Sequence, residues 1–355
     1  MRKQNDKNKN INHNSINKNN NELINLNKNH LEVSSEYIRD KDFNPILDDP
    51  RKFFSDALVD LGEKNPNVLY ISCDSSLGAS GGEFNRRYPK RHFEFGIAEQ
   101  NAMGEAAGFA TCGKIPFIAA YMPFVAFRCF EQIRDDVCKT NLNVNIMGNN
   151  CGFSVSALGP THTVLEDISV MRSLPNLTIF SPYDGPEYYQ AAFAAADIDG
   201  PVFIRIHRLK VKRVHKEGFK FLPGRGEILR EGKDITIITC SSMVANTLDA
   251  AEILSVGGIE AEVINLSTIK PIDKEIILAS SAKTKKVVTV EEHSIVGGLG
   301  SAVAEVLISF EPVKMKMIGI NNVFSVVGDY KDVIDYYGLT PTKISQSIMD
   351  FLKKL

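Results

Sequence analysis

Apolar residues at positions 48–212 follow two alternating patterns. Short runs such as Val68–Cys73 are apolar without interruption, which is typical of strands buried on both faces of a parallel sheet. The segments between these runs have apolar residues three to four positions apart, as in 50–62, which predicts amphipathic helices. Because strands and helices alternate throughout, the pattern predicts an α/β domain whose parallel sheet is covered on both sides.

The pattern predicts two α/β domains joined by a linker. In the first domain, at 48–212, the predicted strands are Val68–Cys73, Ile115–Ala120, Val144–Met147, Leu177–Phe180 and Val202–Ile206, and the predicted helices are 96–113, 123–139, 163–173 and 184–197. Charge and glycine interrupt the pattern at 209–226, which is therefore interpreted as a linker. A second, smaller α/β domain is predicted at 225–355, with strands Ile235–Cys240, Ala261–Leu266, Lys286–Glu291 and Lys314–Ile320.

Residues 1–44 differ in composition from the rest of the chain. Asparagine occupies 12 of the first 30 positions, lysine is next in frequency, and apolar residues are scattered. Such a segment buries too little apolar surface to offset the loss of chain entropy on folding, so a disordered tail is predicted. A transit peptide is the alternative, but transit peptides are rich in arginine and serine, and this segment has few of either before residue 30.

Composition and charge narrow the range of functions. The net charge of −2 argues against a nucleic-acid-binding surface, which would carry a basic patch. No apolar run approaches the ~18 residues of a membrane-spanning helix, and the six cysteines include no Cys-x-x-Cys pair. We therefore expect a cytoplasmic protein with reduced cysteines, without a membrane span and without a metal site of its own.

One carboxylate and one aromatic stripe are the first candidates for residues that bind a ligand or take part in catalysis. Glu99 stands at the predicted start of a helix, just after Gly96, where a carboxylate either caps its own helix or offers a buried acid to a ligand. An aromatic stripe follows at Tyr121, Phe124 and Phe127. Such a stripe is either core packing or a surface on which a flat ligand stacks.

Further polar residues follow predicted strands, at the edge where ligands gather in open α/β sheets. The glycine-rich loop 74–82 follows the first strand, and the last strand ends with Arg205 and Arg208, which are either solvated or hold a phosphate or carboxylate. His162 lies in the turn Gly159–Thr163, either as a surface residue or as a proton carrier. The chain has no glycine-rich dinucleotide fingerprint, Walker phosphate loop or Gly-x-Ser-x-Gly elbow.

Four motifs occur in an order that resembles the transketolase family: Glu94–Gly104, Gly159–His162, Met171–Pro182 and Val290–Ala302. The resemblance extends from about residue 48 to the end, and is strongest to the C-terminal half, or separate C-terminal subunit, of a split transketolase. It implies a thiamin-diphosphate-binding, pyrimidine-type parallel-sheet domain followed by a smaller transketolase C-terminal domain. The implied activity is transfer of a two-carbon ketol unit from a ketose (phosphate) donor to an aldose acceptor.

The resemblance also implies a cofactor site. In the family, the glutamate that matches Glu99 hydrogen-bonds the aminopyrimidine ring of thiamin diphosphate and so activates the cofactor, which serves as the electron sink. The residues implied to surround the cofactor are Ile97, Tyr121, Phe124 as the main stacking partner, Phe127, and Asp74 as a family acid.

Substrate contacts are implied at two positions and altered at two others. His162 matches a histidine that contacts the donor ketose, and Arg208 matches an arginine that binds the phosphate of the acceptor. Leu158 stands where the family usually has an aspartate that reads the donor's C2 hydroxyl, and Asn150 stands where it has a histidine. Because a site that loses hydrogen-bonding groups stops rejecting substrates that lack the matching hydroxyl, we expect substrate choice to have moved away from ordinary pentose and hexose phosphates.

The resemblance finally implies a partner. The family's diphosphate and magnesium site lies in its N-terminal half and is marked by Gly-Asp-Gly followed further on by Asn, a motif absent from this chain. A separate N-terminal subunit that holds Mg²⁺ is therefore implied, in an α2β2 assembly with sites at subunit interfaces. The alternatives are a subunit of a deoxyxylulose-phosphate-synthase-like enzyme, a 2-oxo-acid-dehydrogenase-beta-like subunit, and a non-catalytic assembly subunit.

Overall fold

The computed structural model of the protein describes residues 36–74, 81–216 and 218–355. Two mostly parallel sheets with helices on their faces confirm the predicted α/β fold. In these ranges, no helix is both long enough and apolar enough to cross a membrane.

The described residues form strands and helices that alternate along much of the chain. In chain order the strands are β1 (Leu47–Asp48), β2 (Val68–Ser72), β3 (His92–Glu94), β4 (Ile115–Tyr121), β5 (Asn145–Asn149), β6 (Thr178–Phe180), β7 (Val202–Ile206), β8 (Val211–Lys212), β9 (Glu227–Arg230), β10 (Ile235–Thr239), β11 (Ala261–Asn265), β12 (Thr268–Lys270), β13 (Lys286–Ser294) and β14 (Lys314–Ile320). The α-helices are α1 (Pro50–Lys64), α2 (Gly82–Arg87), α3 (Glu99–Thr111), α4 (Phe130–Gln132), α5 (Asp167–Arg172), α6 (Gly185–Asp197), α7 (Met243–Val256), α8 (Lys274–Thr284), α9 (Leu299–Phe310), α10 (Tyr330–Tyr336) and α11 (Pro341–Leu352).

Two sheets organise these elements. The first has seven strands in the order β12-β6-β7-β5-β4-β2-β3 and is parallel except for β12. The second has five strands in the order β14-β13-β10-β11-β9 and is parallel except for β9. Along the chain β12 follows β11 of the second sheet, yet it pairs with β6 of the first. The second domain therefore supplies an edge strand to the first sheet.

Buried apolar side chains cover both faces of the first sheet. Successive strand residues point to opposite faces, so Tyr70 packs with α1 and α6 while Ile71 packs with α3. Two of the covering helices, α1 and α6, begin at a capping aspartate with proline in the first turn. In α1, Asp49 accepts from the Arg51 amide before Pro50 in the first turn, and Asp184 caps α6 in the same way.

The described part of the predicted tail is folded. Residues 1–35 lie outside the described residues, but the prediction of a disordered tail as far as residue 44 is wrong for 36–44. The side chain of Tyr37 is 4% exposed, and its hydroxyl lies 2.9 Å from Asp249 Oδ1 and 3.0 Å from the Ala245 carbonyl. One aromatic ring with a buried hydrogen-bond partner anchors a segment whose average composition is that of a disordered chain.

The predicted linker at 209–226 is also partly packed. Its strand β8 pairs with β1, and His215 is buried with its two ring nitrogens 2.8 Å from Asp184 and from Glu227. Burial alone would lower the pKa of His215, but these two carboxylates raise it to about 11. The positive charge of His215 is therefore paired with carboxylates that lie outside the predicted linker.

The helix predicted at 123–139 is wound more loosely than an α-helix. It consists of two π-helical segments, Phe124–Arg128 and Ile133–Cys138, around the short helix α4. Hydrophobic periodicity does not distinguish the two kinds of helix over so few residues. Because π-helical turns occur frequently at functional sites, this segment is a place to look for ligand-binding residues.

The carboxyl ends of the parallel strands meet at one edge of the first sheet. The strand registers place Ser72 beside Glu94 and Ala119, and Asn149 beside Tyr121 and Ile206. Loops that leave this edge carry most of the candidate residues. This is the edge at which open α/β sheets bind ligands.

Two neighbouring residues of β13, Glu292 and His293, attach the second domain to the first, and Glu291 beside them holds the start of α9. Glu292 accepts from the Phe153 amide and from the Tyr330 hydroxyl, the latter at 2.9 Å. His293 Nε2 accepts from the Ile168 amide at 3.1 Å, and Glu291 accepts from the first amides of α9. The motif Val290–Ala302 therefore holds the interdomain contact together.

The pKa of Glu291 predicts a pH-dependent stability. Burial raises this pKa to about 7, against the hydrogen bonds from α9. Since the folded protein then holds a proton that the unfolded chain releases above its ordinary pKa near 4.5, Glu291 lowers stability progressively between pH 4.5 and 7. We expect Glu291→Gln to gain stability relative to wild type over this range, by up to about 3 kcal/mol, in urea titrations. Glu305→Gln, at an exposed position, is the control. A difference in unfolding free energy between Glu291→Gln and wild type that stayed the same at every pH would contradict the raised pKa of Glu291.

Candidate functional site

Glu99 is a buried carboxylate at the first turn of α3. Its side chain is 3% exposed, and it does not cap its own helix, because no side chain caps the start of α3. Gly96, two residues before Ala98, has a φ of +66° with nothing within 4 Å of a hypothetical Cβ. The turn therefore leaves open space directly before the acid, as a ligand site requires.

Arg128 pairs with this acid. Its Nη1 donates to Glu99 Oε2 at 2.8 Å, while the Arg128 side chain remains 44% exposed. The guanidinium carbon lies 4.5 Å from the centroid of the Phe124 ring. Two buried thiols, Cys73 and Cys129, lie near the pair. Their pKa values are raised to about 12, mainly by burial and to a lesser extent by the negative charge of Glu99. The environment of Glu99 is thus apolar and contains neutral thiols, an aromatic face and one cation.

His162 belongs to the same group of residues. Its ring lies 5.4 Å from that of Phe124 and 5.7 Å from that of Tyr121, edge to face in both cases. The Thr161 hydroxyl is 3.0 Å from His162 Nδ1. Glu99 is therefore connected to His162 by contacts through Arg128 and Phe124. The structure thus brings together the two residues predicted to be catalytic.

Glu94 joins the two loops on the other side of the acid. Its carboxylate accepts from the Ser72 hydroxyl at 2.5 Å, the Asp74 amide at 2.6 Å and the Gly96 amide at 2.9 Å. Burial alone would raise the pKa of Glu94, but these three hydrogen bonds outweigh it and lower the pKa. The carboxylate therefore fixes Asp74 close to the turn that carries Ile97, whose side chain is exposed.

The predicted substrate residues lie on loops that are tied to the His162 turn. A β-bridge between Gly152 and Val164 connects the loop of Asn150, which is buried with a φ of +63°, to the residues after His162. Leu158 is exposed in the short 3₁₀ turn just before Gly159. The Arg208 amide lies 3.4 Å from the Ser154 hydroxyl, and its side chain is exposed at the end of β7.

Arg205 is not available to a ligand. It is 2% exposed and its Nε donates to Asp167 at 2.6 Å, while Nη1 donates to the Ser181 hydroxyl at 3.1 Å. The interpretation of Arg205 as a phosphate or carboxylate ligand is therefore wrong, because its charge is satisfied inside the protein. Of the two arginines at this end of β7, Arg208 alone remains a candidate.

A cleft of about 350 Å³ opens beside these residues. Phe127, Pro160 and Thr161 border it on one side, and Phe324 of the second domain on the other. The hydroxyls of Thr163 and Ser325 also line it, and both are buried without a hydrogen-bond partner among the described residues. Since buried polar atoms normally have partners, these hydroxyls mark the cleft as a place for a polar ligand or water.

Sequence reasoning missed Arg128 and Glu94. Arg128 stands four positions after Phe124, a spacing that puts side chains on one side of a helix, so its place beside the aromatic stripe could have been anticipated. Glu94 precedes Gly96 by two residues, and its three hydrogen bonds reach across two strands. Among the described residues, no cluster of His, Cys, Asp or Glu side chains is placed to hold a metal ion.

The fold and this group of residues define an α/β protein with a ligand site at the carboxyl edge of a parallel sheet. The chain matches the pyrimidine-binding domain of transketolase over residues 49–213 and the transketolase C-terminal domain over residues 224–344. The chain therefore belongs to the transketolase family, which confirms the resemblance noted in the sequence. Membership in this family implies dependence on thiamin diphosphate.

Three similar proteins are separate subunits or sections. A putative transketolase C-terminal section of Methanocaldococcus jannaschii is 40% identical, over 86% of this chain and 96% of the relative. A subunit of a 6-deoxy-6-sulfo-D-fructose transketolase of Clostridium sp. is 37% identical, over 83% and 91%. A solved structure described as a split gene transketolase, inactive beta4 tetramer, superposes with a TM-score of 0.79 at 39% identity, over 87% of this chain and 99% of that one.

Proposed function

We propose that this chain supplies the pyrimidine-binding half of the thiamin diphosphate site in a two-subunit transketolase. The enzyme would transfer a two-carbon ketol unit between a ketose (phosphate) donor and an aldose acceptor in the cytoplasm. The observation that carries the proposal is the buried carboxylate of Glu99, which Arg128 joins to the face of the Phe124 ring. A non-catalytic subunit would have no use for such an acid.

The residues present fit an aminopyrimidine ring. Such a ring needs an acid that shares a proton with its nitrogen, an aromatic face to stack on and surroundings that exclude water. Glu99, Phe124 and the buried Cys73 and Cys129 meet these needs. When bound, the cofactor would supply the electron sink that ketol transfer requires.

The remaining candidate residues would contact the substrates. His162, held edge to face against Tyr121 and Phe124, would contact the donor's hydroxyls and exchange a proton with them. Exposed Arg208 would bind the phosphate of the acceptor. The unpaired hydroxyls of Thr163 and Ser325 in the neighbouring cleft suit a polyhydroxylated ligand.

Two features support a separate partner that carries Mg²⁺ and the diphosphate site. The described residues offer no cluster for a metal ion, so the cation would have to be held elsewhere. Exposed apolar side chains occur at the cleft, as Phe324, and on loops at the carboxyl edge of the sheet, as Ile97 and Leu158. Since large apolar surfaces of this kind usually mark protein contacts, we place the partner over this edge, in an α2β2 assembly.

The substrate is proposed to differ from that of ordinary transketolases. Leu158 is an apolar side chain where an acid would read the donor's C2 hydroxyl, and Asn150 is uncharged. Both changes favour a donor or acceptor with fewer matching hydroxyls, such as a deoxy or carboxylated sugar.

Ketol transfer by the chain with its N-terminal partner tests the proposal. With thiamin diphosphate and Mg²⁺ present, we expect turnover by the pair and none by the chain alone, because the diphosphate site would be missing. Across a panel of donor and acceptor sugars, xylulose 5-phosphate should be a poorer donor than it is for an ordinary transketolase. Turnover by the chain alone would contradict the need for a partner, and equal use of xylulose 5-phosphate would contradict the change of substrate.

A further inference from the structure

Arg128 makes two contacts that a bound aminopyrimidine would also make. Its guanidinium donates to Glu99 Oε2 at 2.8 Å, and the same planar group lies over the Phe124 ring at 4.5 Å. A flat ring stacked on Phe124 with a nitrogen bonded to Glu99 would need this position. The two groups therefore compete for one space.

The other neighbours of Phe124 do not occupy that space. Tyr121 and His162 contact the ring at interplanar angles of 54° and 78°, which are tilted or edge-to-face contacts rather than parallel stacking. No hydrogen bond from a described residue reaches the second oxygen of Glu99, so Arg128 is the partner that the acid has in this structure.

We propose that Arg128 is a built-in competitor of the cofactor's pyrimidine ring, which occupies the ring's position in the free subunit and must leave it for the cofactor to bind. This inference rests on the proposed function. It assigns to Arg128 control of cofactor affinity: the free subunit keeps its buried acid paired, and the ring takes over the same acid and aromatic face.

The position of Arg128 makes such an exchange feasible. Its side chain is 44% exposed, so the guanidinium can turn into solvent on its flexible stem while the backbone stays in place. The acid then exchanges one hydrogen-bonding partner for another, because a proton taken from solvent bridges Glu99 and the acceptor nitrogen of the ring in place of the N–H of Arg128. A buried acid without a partner would be costly, which explains why the free subunit needs a substitute.

Binding of the isolated ring to the full-length chain tests the proposal. The probe is the neutral hydroxymethyl aminopyrimidine half of thiamin, since the diphosphate of the whole cofactor would be attracted by the arginine charge and hide the competition. Calorimetry or saturation-transfer NMR gives its dissociation constant. We expect Arg128→Met to bind the ring about tenfold more tightly than wild type, because a charge-assisted hydrogen bond no longer has to be broken. Arg128→Lys, which keeps the charge but loses the planar group, should fall between the two.

Arg134→Met is the matched control. Arg134 pairs with Asp135 at 2.8 Å and is 60% exposed, so its loss changes the net charge equally and should leave ring binding unchanged. Equal or weaker binding by Arg128→Met would overturn the inference while leaving the proposed function standing, since the ring still binds. Binding of the ring by neither protein would also overturn the inference, and turnover by the reconstituted pair would then decide the proposed function separately. Thermal unfolding of each variant verifies that it is folded.

Discussion

We expect Glu99→Gln to lower the turnover of the proposed two-subunit enzyme by at least about a hundredfold, the usual size of a lost general acid–base contribution. Glutamine has nearly the same shape as glutamate and still offers an oxygen to Arg128, so the fold should be kept. Its amide can donate a hydrogen bond to the ring nitrogen but cannot transfer a proton to it, so activation of the cofactor should fail. The loss is expected in kcat, because the stacking surface of Phe124 remains.

A control on the same helix makes this result specific. Glu105 lies further along α3 and is exposed, so Glu105→Gln removes the same charge from the same helix without touching the site. Its turnover should equal that of wild type. If Glu99→Gln also turned over like wild type, the chain would not carry the acid of a thiamin site, and the non-catalytic alternative would gain support.

Strand periodicity predicted most of the first sheet. The buried strands β2, β4, β5, β6 and β7 stand out in the sequence because each is a short apolar run that both faces of the sheet bury. The short strand β3 was missed, since three residues carry no periodicity, and so was β12, which pairs with a strand about ninety residues earlier in the chain.

The candidate site was predictable only where a motif was visible. Glu99, the aromatic stripe and His162 stand in recognisable motifs, and the structure places them in contact through Arg128 and Phe124. The side chains that hold them in place were not predictable in this way. Glu94 accepts from Ser72 of the neighbouring strand and from Asp74 in the loop after it, and such contacts depend on strand register, which periodicity does not specify.

The role of Arg205 was misjudged for a related reason. An arginine at a strand end is exposed more often than buried, and its partner Asp167 is 38 residues away. Only the fold shows that the two meet in the interior, beside His293 of the second domain. Arg205, whose position suggested a phosphate ligand, instead forms a structural ion pair with Asp167.

Breaking this pair should have the largest effect on stability. Arg205 and Asp167 are 2% and 0% exposed, and although burial opposes the charge, Asp167 raises the pKa of Arg205 further. Asp167→Asn would leave a buried guanidinium without a counter-charge. We expect it to lower the free energy of unfolding by about 3–5 kcal/mol, measured by urea titration followed by circular dichroism, since the chain has no tryptophan to report by fluorescence.

Two further variants separate the charge from the shape of the site. Asp135→Asn breaks the exposed pair with Arg134 and should cost no more than about 1 kcal/mol. The double variant Asp167→Leu, Arg205→Met removes both charges and should recover most of the loss, because apolar side chains can replace a buried ion pair. If Asp167→Asn cost no more than Asp135→Asn, the buried pair would not stabilise the fold. The double variant could instead be as unstable as Asp167→Asn. In that case the stability would depend on the hydrogen bond to Ser181 and the contact with His293, and not on the paired charges.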